Sequence, residues 1–115
     1  MNYITLDKKT VKRLDALEEQ IPAIYDALVD LENFDDQQRE HAKQNITFST
    51  CAIFQSHTSS KNVHDVVEHL MMAIIHAGFS KELLRRAGVG AAIIIKIEEL
   101  QLGIKKVGQD IIGEM

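Results

Sequence analysis

The chain has few of the residues that mark other protein classes. It contains no tryptophan, one proline and one cysteine, and aromatic residues make up only 5% of it. Aliphatic residues supply most of the apolar content, and this composition favours helices over a β-sandwich. A chain of 115 residues can bury a sizeable core without a metal or a disulfide. We therefore predict one all-α domain over residues 1–115.

Other absences bear on location and chemistry. The lone Cys51 cannot form an internal disulfide, and the first residues lack the apolar core of a secretory signal, so we predict a cytoplasmic protein. The longest uncharged apolar run, from Ala87 to Ile95, is less than half of the roughly 20 residues that a membrane helix needs. The chain has no Walker loop and no GxGxxG, GxSxG or CxxC motif. We expect no membrane contact, no enzymatic activity, no cofactor and no metal.

Charge is distributed unevenly along the chain, although the formal net charge is only −4. Across residues 14–40, nine acidic residues face a single basic residue, Arg39, so this segment carries −8 and the remainder +4. An acidic segment repels phosphate and suits a basic protein partner. The simpler interpretation is a solvated helix face that aids solubility.

The first helix is predicted over residues 7–33, with Asp7 as its N-cap. Pro22 falls inside an apolar stripe whose phase is the same on both sides, which favours one helix kinked at Pro22. The alternative is a break, with Pro22 opening a second helix. The stripe consists of Leu14, Leu17, Ile21, Ile24, Leu28 and Leu31.

The same reasoning predicts three further helices, over residues 35–55, 62–77 and 80–112. Gly78 is the expected cap at the end of the third helix, and Met71 and Met72 are expected in the core. Residues 46–54 also fit a strand, but a lone strand would have no partner, so we predict helix. The last helix carries a second apolar stripe, at Ile93, Ile97, Leu100, Ile104, Val107 and Ile111. Two long terminal helices with two shorter ones between them indicate an up-down bundle.

The last helix also has apolar residues opposite this stripe. Ile95 and Leu102 stand seven residues apart on that second face, and Ile94 and Ile112 lie nearer its edges. One core cannot bury both faces, and exposed aliphatic stripes usually mark an interface. We therefore predict a homodimer that forms through these four residues.

A nucleic-acid signature overlaps the start of the same helix. The segment "LLRRAGVGAAIIIKI" resembles the helix-hairpin-helix motif, in which a Gly-hydrophobic-Gly turn joins two short helices and its amides hold a phosphate. The resemblance implies phosphate contacts from Arg85, Arg86, Gly88, Gly90 and Lys96. Two positions depart from the motif, since Ala87 replaces its usual proline and Ile94 its usual alanine. The acidic chain also offers little phosphate neutralisation, which favours a simple turn between two helices.

Histidines supply another candidate site. His64 and Glu68 stand one helical turn apart, as do Asp65 and His69, so this segment can present two metal ligands from one face. The segment "HDVVEH" is similar to one fragment of the hemerythrin pattern, a four-helix di-iron fold. That family needs further histidine pairs and a late HxxxxD, which this chain lacks. The alternative is a set of solvent-facing histidine–carboxylate pairs.

The expected function is therefore protein binding. We expect a homodimeric helical bundle that binds an unidentified protein as an adaptor, regulator or antagonist, as small bacterial or phage accessory proteins do. Two alternatives remain open: a helix-hairpin-helix nucleic-acid binder and a histidine/carboxylate metal-binding bundle.

Overall fold

The computed structural model describes residues 2–114, which form an up-down bundle of four helices. Each helix packs against the next one in the chain, and the first also packs against the last, so the bundle closes. Its principal extents are 45 × 25 × 19 Å. The helices are α1 (Lys8–Asp30), α2 (Asp36–Thr58), α3 (Val63–Ala87) and α4 (Ala91–Gly113). The predicted all-α bundle is confirmed, and residues 46–54 are helical.

The two apolar stripes predicted on the terminal helices line the core. All six stripe residues of α4 are buried, as are the first five of α1, whereas Leu31 is half-buried beyond the end of that helix. Helix α1 runs through Pro22 without a break, which excludes the alternative of two helices. Asp7 is its N-cap, as predicted, and hydrogen bonds from Thr10 hold the pKa of the Asp7 carboxyl below its usual value.

The predicted boundary between the third and fourth helices is wrong. The predicted spans were 62–77 and 80–112, but α3 continues through Gly78 and ends ahead of Gly88. Gly88 has φ of 69°, the left-handed conformation that favours glycine at the end of a helix. Gly78 has a different role, because a Cβ there would lie 3.2 Å from Nε2 of Gln101 on α4. This glycine makes room for a neighbouring side chain and does not end the helix.

Helices α2 and α3 meet through small side chains. The Ser49 hydroxyl donates a hydrogen bond to the carbonyl of Ala73 at 2.8 Å, and the Ser80 hydroxyl donates one to the carbonyl of Ala42 at 2.6 Å. Small residues let helix backbones approach closely, and these bonds satisfy hydroxyls that would otherwise be buried without a partner. Larger residues, among them Ile53 and Leu70, share the core side of these helices, while several other large apolar residues of α2 and α3 lie outside.

One arginine closes the turn between α1 and α2. The Arg39 guanidinium donates hydrogen bonds to the carbonyls of Leu28, Val29 and Phe34. The first two belong to the last turn of α1, whose carbonyls have no partner within the helix. Arg39, the only basic residue of the acidic segment, thus caps the end of α1 and fixes the start of α2.

Over residues 2–114, none of the four helices combines the length and the apolar content that a membrane span needs.

Two glycines of α4 make a matched pair for testing its packing against α1. A Cβ at Gly103 would lie 2.6 Å from Cδ2 of Leu17, whereas one at Gly108 would lie 3.8 Å from Cδ1 of Leu70. We expect Gly108→Ala to raise the free energy of unfolding by about 1 kcal/mol, because alanine favours the helix. The free energy of unfolding of Gly103→Ala should be about 1–3 kcal/mol lower than that of Gly108→Ala, because the Leu17 side chain must move to admit the new methyl group. Urea denaturation of both variants measures the difference, and equal stabilisation would contradict this packing.

Candidate protein-interaction surface

All four helices expose large apolar side chains, and apart from Val29 on α1 and Phe54 on α2 these form one set of eight residues on α2, α3 and α4. We call this set the outer apolar face, and every member is at least 43% exposed. Soluble monomers seldom expose extended apolar patches unless these bind something. Its members are Phe48 on α2; Met71, Met72, Ile75 and Phe79 on α3; and Ile95, Leu102 and Ile112 on α4.

On α3, the outer apolar face lies where a helix of a soluble bundle ordinarily has polar residues. Met72, Ile75 and Phe79 follow one another at steps of three and four residues, so they share one side of the helix. That side faces away from the core, where a helix of a soluble bundle usually carries polar residues. The expectation that Met71 and Met72 belong to the core is wrong, because their side chains are 55% and 45% exposed. The buried positions of α3 are Val66, Leu70, Ala73, Ala77, Ser80 and Leu84.

Aromatic rings connect the α3 residues to α2. The ring of His76 lies between Phe48, at a centroid distance of 5.2 Å, and Phe79, at 5.8 Å. His76 Nδ1 is 3.0 Å from Oδ1 of Asn45 on α2, which holds the imidazole in place. Phe48 and Phe79 therefore flank His76, which connects α2 and α3.

A groove joins α3 to α4. It has a volume of about 190 Å³ and an almost wholly apolar lining. Gly108 lowers its floor, because it places no side chain between the helices. Met71 and Ile112 of the outer apolar face stand at its rim, together with the polar residues Lys105 and Gln109. At this groove the apolar surface continues from Met71 of α3 to Ile112 of α4.

Three of the four residues predicted for the dimer interface are exposed on α4. Leu102 is 68% exposed and is the most exposed of the large apolar residues; Ile95 and Ile112 are more than half exposed. Ile94 is half-buried and packs against the core. The second apolar face predicted for the last helix is therefore present. Sequence reasoning missed the α3 side of this surface.

The helix-hairpin-helix resemblance has a partial counterpart in the structure. Gly88 and Gly90 both have positive φ and form the turn between α3 and α4, and the first turn of α4 has no side-chain cap. The basic residues lie on different sides: Arg86 pairs with Glu82 on α3, whereas Lys96 lines a groove between α1 and α4. A phosphate site at this turn stays a prediction.

The two histidine–carboxylate pairs considered as metal ligands do not share a site. His64 Nε2 lies 2.9 Å from Glu68 Oε1, and these side chains are 78% and 60% exposed. His69 Nδ1 instead lies 3.2 Å from the hydroxyl of Ser60. The alternative of solvent-facing pairs holds for His64 and Glu68 but not for His69, which is half-buried and has no carboxylate partner within the described residues. A different group of ligand atoms comes together between α1 and α2 and is analysed below.

Comparisons with known proteins add no family to this picture. No protein-family model, no curated protein and no solved structure matches the chain.

Proposed function

We propose that this protein is a non-enzymatic protein-binding module that acts as a homodimer, with α4 packed antiparallel against α4 of a second copy. The outer apolar face supplies the area for two contacts. Its α4 side pairs with the second copy, and its α2–α3 side, around His76, remains for another protein.

The charge pattern of α4 carries the proposal. Glu98 and Glu99 lie one turn before Leu102, and Lys105 and Lys106 lie one turn after it. An antiparallel pair with its two-fold axis at Leu102 places Glu98 opposite Lys106 of the second copy, and Glu99 opposite Lys105 of the second copy. Such an interface is self-complementary, as a two-fold homodimer requires. A parallel pair would set like charges against each other.

These charges are poorly matched within a single chain. Oε2 of Glu98 lies 3.8 Å from Nζ of Lys81, which is a long distance for an ion pair. Glu99, Lys105 and Lys106 make no ion pair within residues 2–114. Within one chain the glutamates are six to eight residues from the lysines, or about 9–12 Å along the helix, which is too far for an ion pair. A second copy supplies the missing counter-charges.

Helix α3 extends the proposed contact. The Gln101 side chain donates a hydrogen bond to the carbonyl of Ile74 at 3.0 Å, which sets Ile75 of α3 at the level of Leu102. A stable dimer buries roughly 800 Å² on each partner, more than Ile95 and Leu102 alone provide. A two-fold axis at Leu102 also brings the two α3 helices side by side. Their apolar residues then add to the buried area.

The second contact takes a partner of different chemistry. Phe48, Met72 and Phe79 form an apolar surface around His76, and aromatic residues and methionine are enriched in protein interfaces. The acidic segment on α1 favours a basic protein and disfavours nucleic acid. The proposed partner is therefore a protein that presents apolar anchors beside basic residues.

Charged substitutions on the outer side of α4 test the dimer. Light scattering of the wild type should give twice the chain mass of 13.0 kDa. Ile95→Glu with Leu102→Glu should give the single mass with an unchanged helical circular dichroism spectrum, because a dimer would bury four carboxylates without partners. Val29→Glu is the matched control, since Val29 is 45% exposed on α1, and should remain dimeric. A wild type at 13.0 kDa would exclude the dimer.

Charge reversal tests the antiparallel arrangement. Glu98→Lys with Glu99→Lys leaves only lysines along the contact, so the dimer dissociation constant should rise at least about tenfold at low salt. Adding Lys105→Glu with Lys106→Glu restores opposite charges and should return the constant close to the wild-type value. Analytical ultracentrifugation measures the dimer dissociation constants of the double and the fourfold variant. If the fourfold variant dissociates as readily as the double one, the charge symmetry plays no part.

A further inference from the structure

A histidine of α2 faces two carboxylates of α1. His57 Nε2 lies 2.9 Å from Glu18 Oε1 and 3.6 Å from Asp15 Oδ1. The three ligand atoms all lie within 4.8 Å of one another. The side chain of His57 is only 8% exposed, while that of Asp15 is 52% exposed. The group is therefore buried at its histidine end and open to solvent at its aspartate end.

We propose that Asp15, Glu18 and His57 bind a divalent cation of the zinc type, which links α1 to α2. Zinc is bound in proteins by imidazole nitrogen and carboxylate oxygen. At bond lengths of about 2.1 Å, a tetrahedral ion holds its ligand atoms roughly 3.4 Å apart. That separation falls between the two distances from His57 Nε2. Solvent beside Asp15 supplies the fourth ligand.

Charge favours a cation over a simple ion pair. The two carboxylates carry two negative charges, and a histidine offsets at most one of them. They also stand in the segment of residues 14–40, which carries −8. His57 lies within ion-pair distance of both carboxylates, at 2.9 Å from Glu18 and 3.6 Å from Asp15, but only the shorter contact is a hydrogen bond. A divalent ion would neutralise both carboxylates at once.

The surroundings also resemble those of a metal site. Asp15 and Glu18 stand three residues apart on one side of α1, so both reach the same point. The ring of Phe54 lies edge-on to the His57 imidazole at a centroid distance of 5.6 Å. An apolar side chain beside a ligand limits its contact with water and restricts its orientation. The exposed His64–Glu68 pair has neither a third ligand nor such a neighbour, and it serves as the control.

Calorimetric titration with zinc chloride, after the protein has been treated with chelator, tests this site independently of the dimer. We expect one zinc per chain. The thermal midpoint should rise by about 10 °C when free zinc exceeds the dissociation constant about a hundredfold. Magnesium should give neither effect, because it requires oxygen ligands in octahedral geometry.

Two variants connect zinc binding to these residues. His57→Ala should abolish the heat of binding and the thermal shift, and His64→Ala should keep both. Asp15→Asn is a milder change at a half-exposed position; it should leave the metal-free midpoint unchanged and weaken zinc binding at least about tenfold. The proposal is wrong if the wild type binds no zinc. It is equally wrong if Asp15→Asn and His57→Ala bind zinc as the wild type does.

Discussion

The close approach of α2 to α3 is the constraint on which the outer surface of this protein depends. Alanine and serine fill the positions between the two helices, and cross-helix hydrogen bonds from Ser49 and Ser80 satisfy the buried hydroxyls. These small residues let the two backbones approach closely beside larger buried residues such as Ile53 and Leu70, whereas Phe48, Met72 and Phe79 lie outside. The surface proposed for binding is thus the outer side of this closely packed helix pair.

The two sides of the bundle differ in chemistry. Residues 14–40, which run along α1 and into the start of α2, carry nine of the 17 acidic residues and only one basic residue, whereas α3 and α4 expose aliphatic and methionine side chains. The bundle arrangement sets α1 diagonally opposite α3. An acidic side keeps a protein soluble, and an apolar side provides area for association. The proposed zinc site lies with the acidic side, so metal binding and dimerisation use separate surfaces.

Local signals in the sequence predicted much of the fold. The cap at Asp7 and the stripes of α1 and α4 follow from spacing alone, and the second apolar face of α4 follows from the same stripe. The end of α3 did not, because Gly78 and Gly88 differ only in what surrounds them. Met71 and Met72 of α3 were also wrongly predicted in the core, because some of the residues buried on that helix are alanine and serine, which give no clear apolar pattern. The contact between Asp15 and His57 depends on which helices are neighbours, and spacing within one helix cannot show that.

The central claim is an antiparallel pair of α4 helices centred on Leu102, and disulfide cross-linking tests it most directly. In a chain carrying Cys51→Ser, Leu102→Cys should form a covalent dimer under mild oxidation, because the two copies of that residue meet at the two-fold axis within reach of a disulfide. Ile95→Cys in the same chain should not cross-link, since residue 95 then lies opposite residue 109 of the second copy. Absence of a cross-link at residue 102, or equal cross-linking at residue 95, would contradict the account.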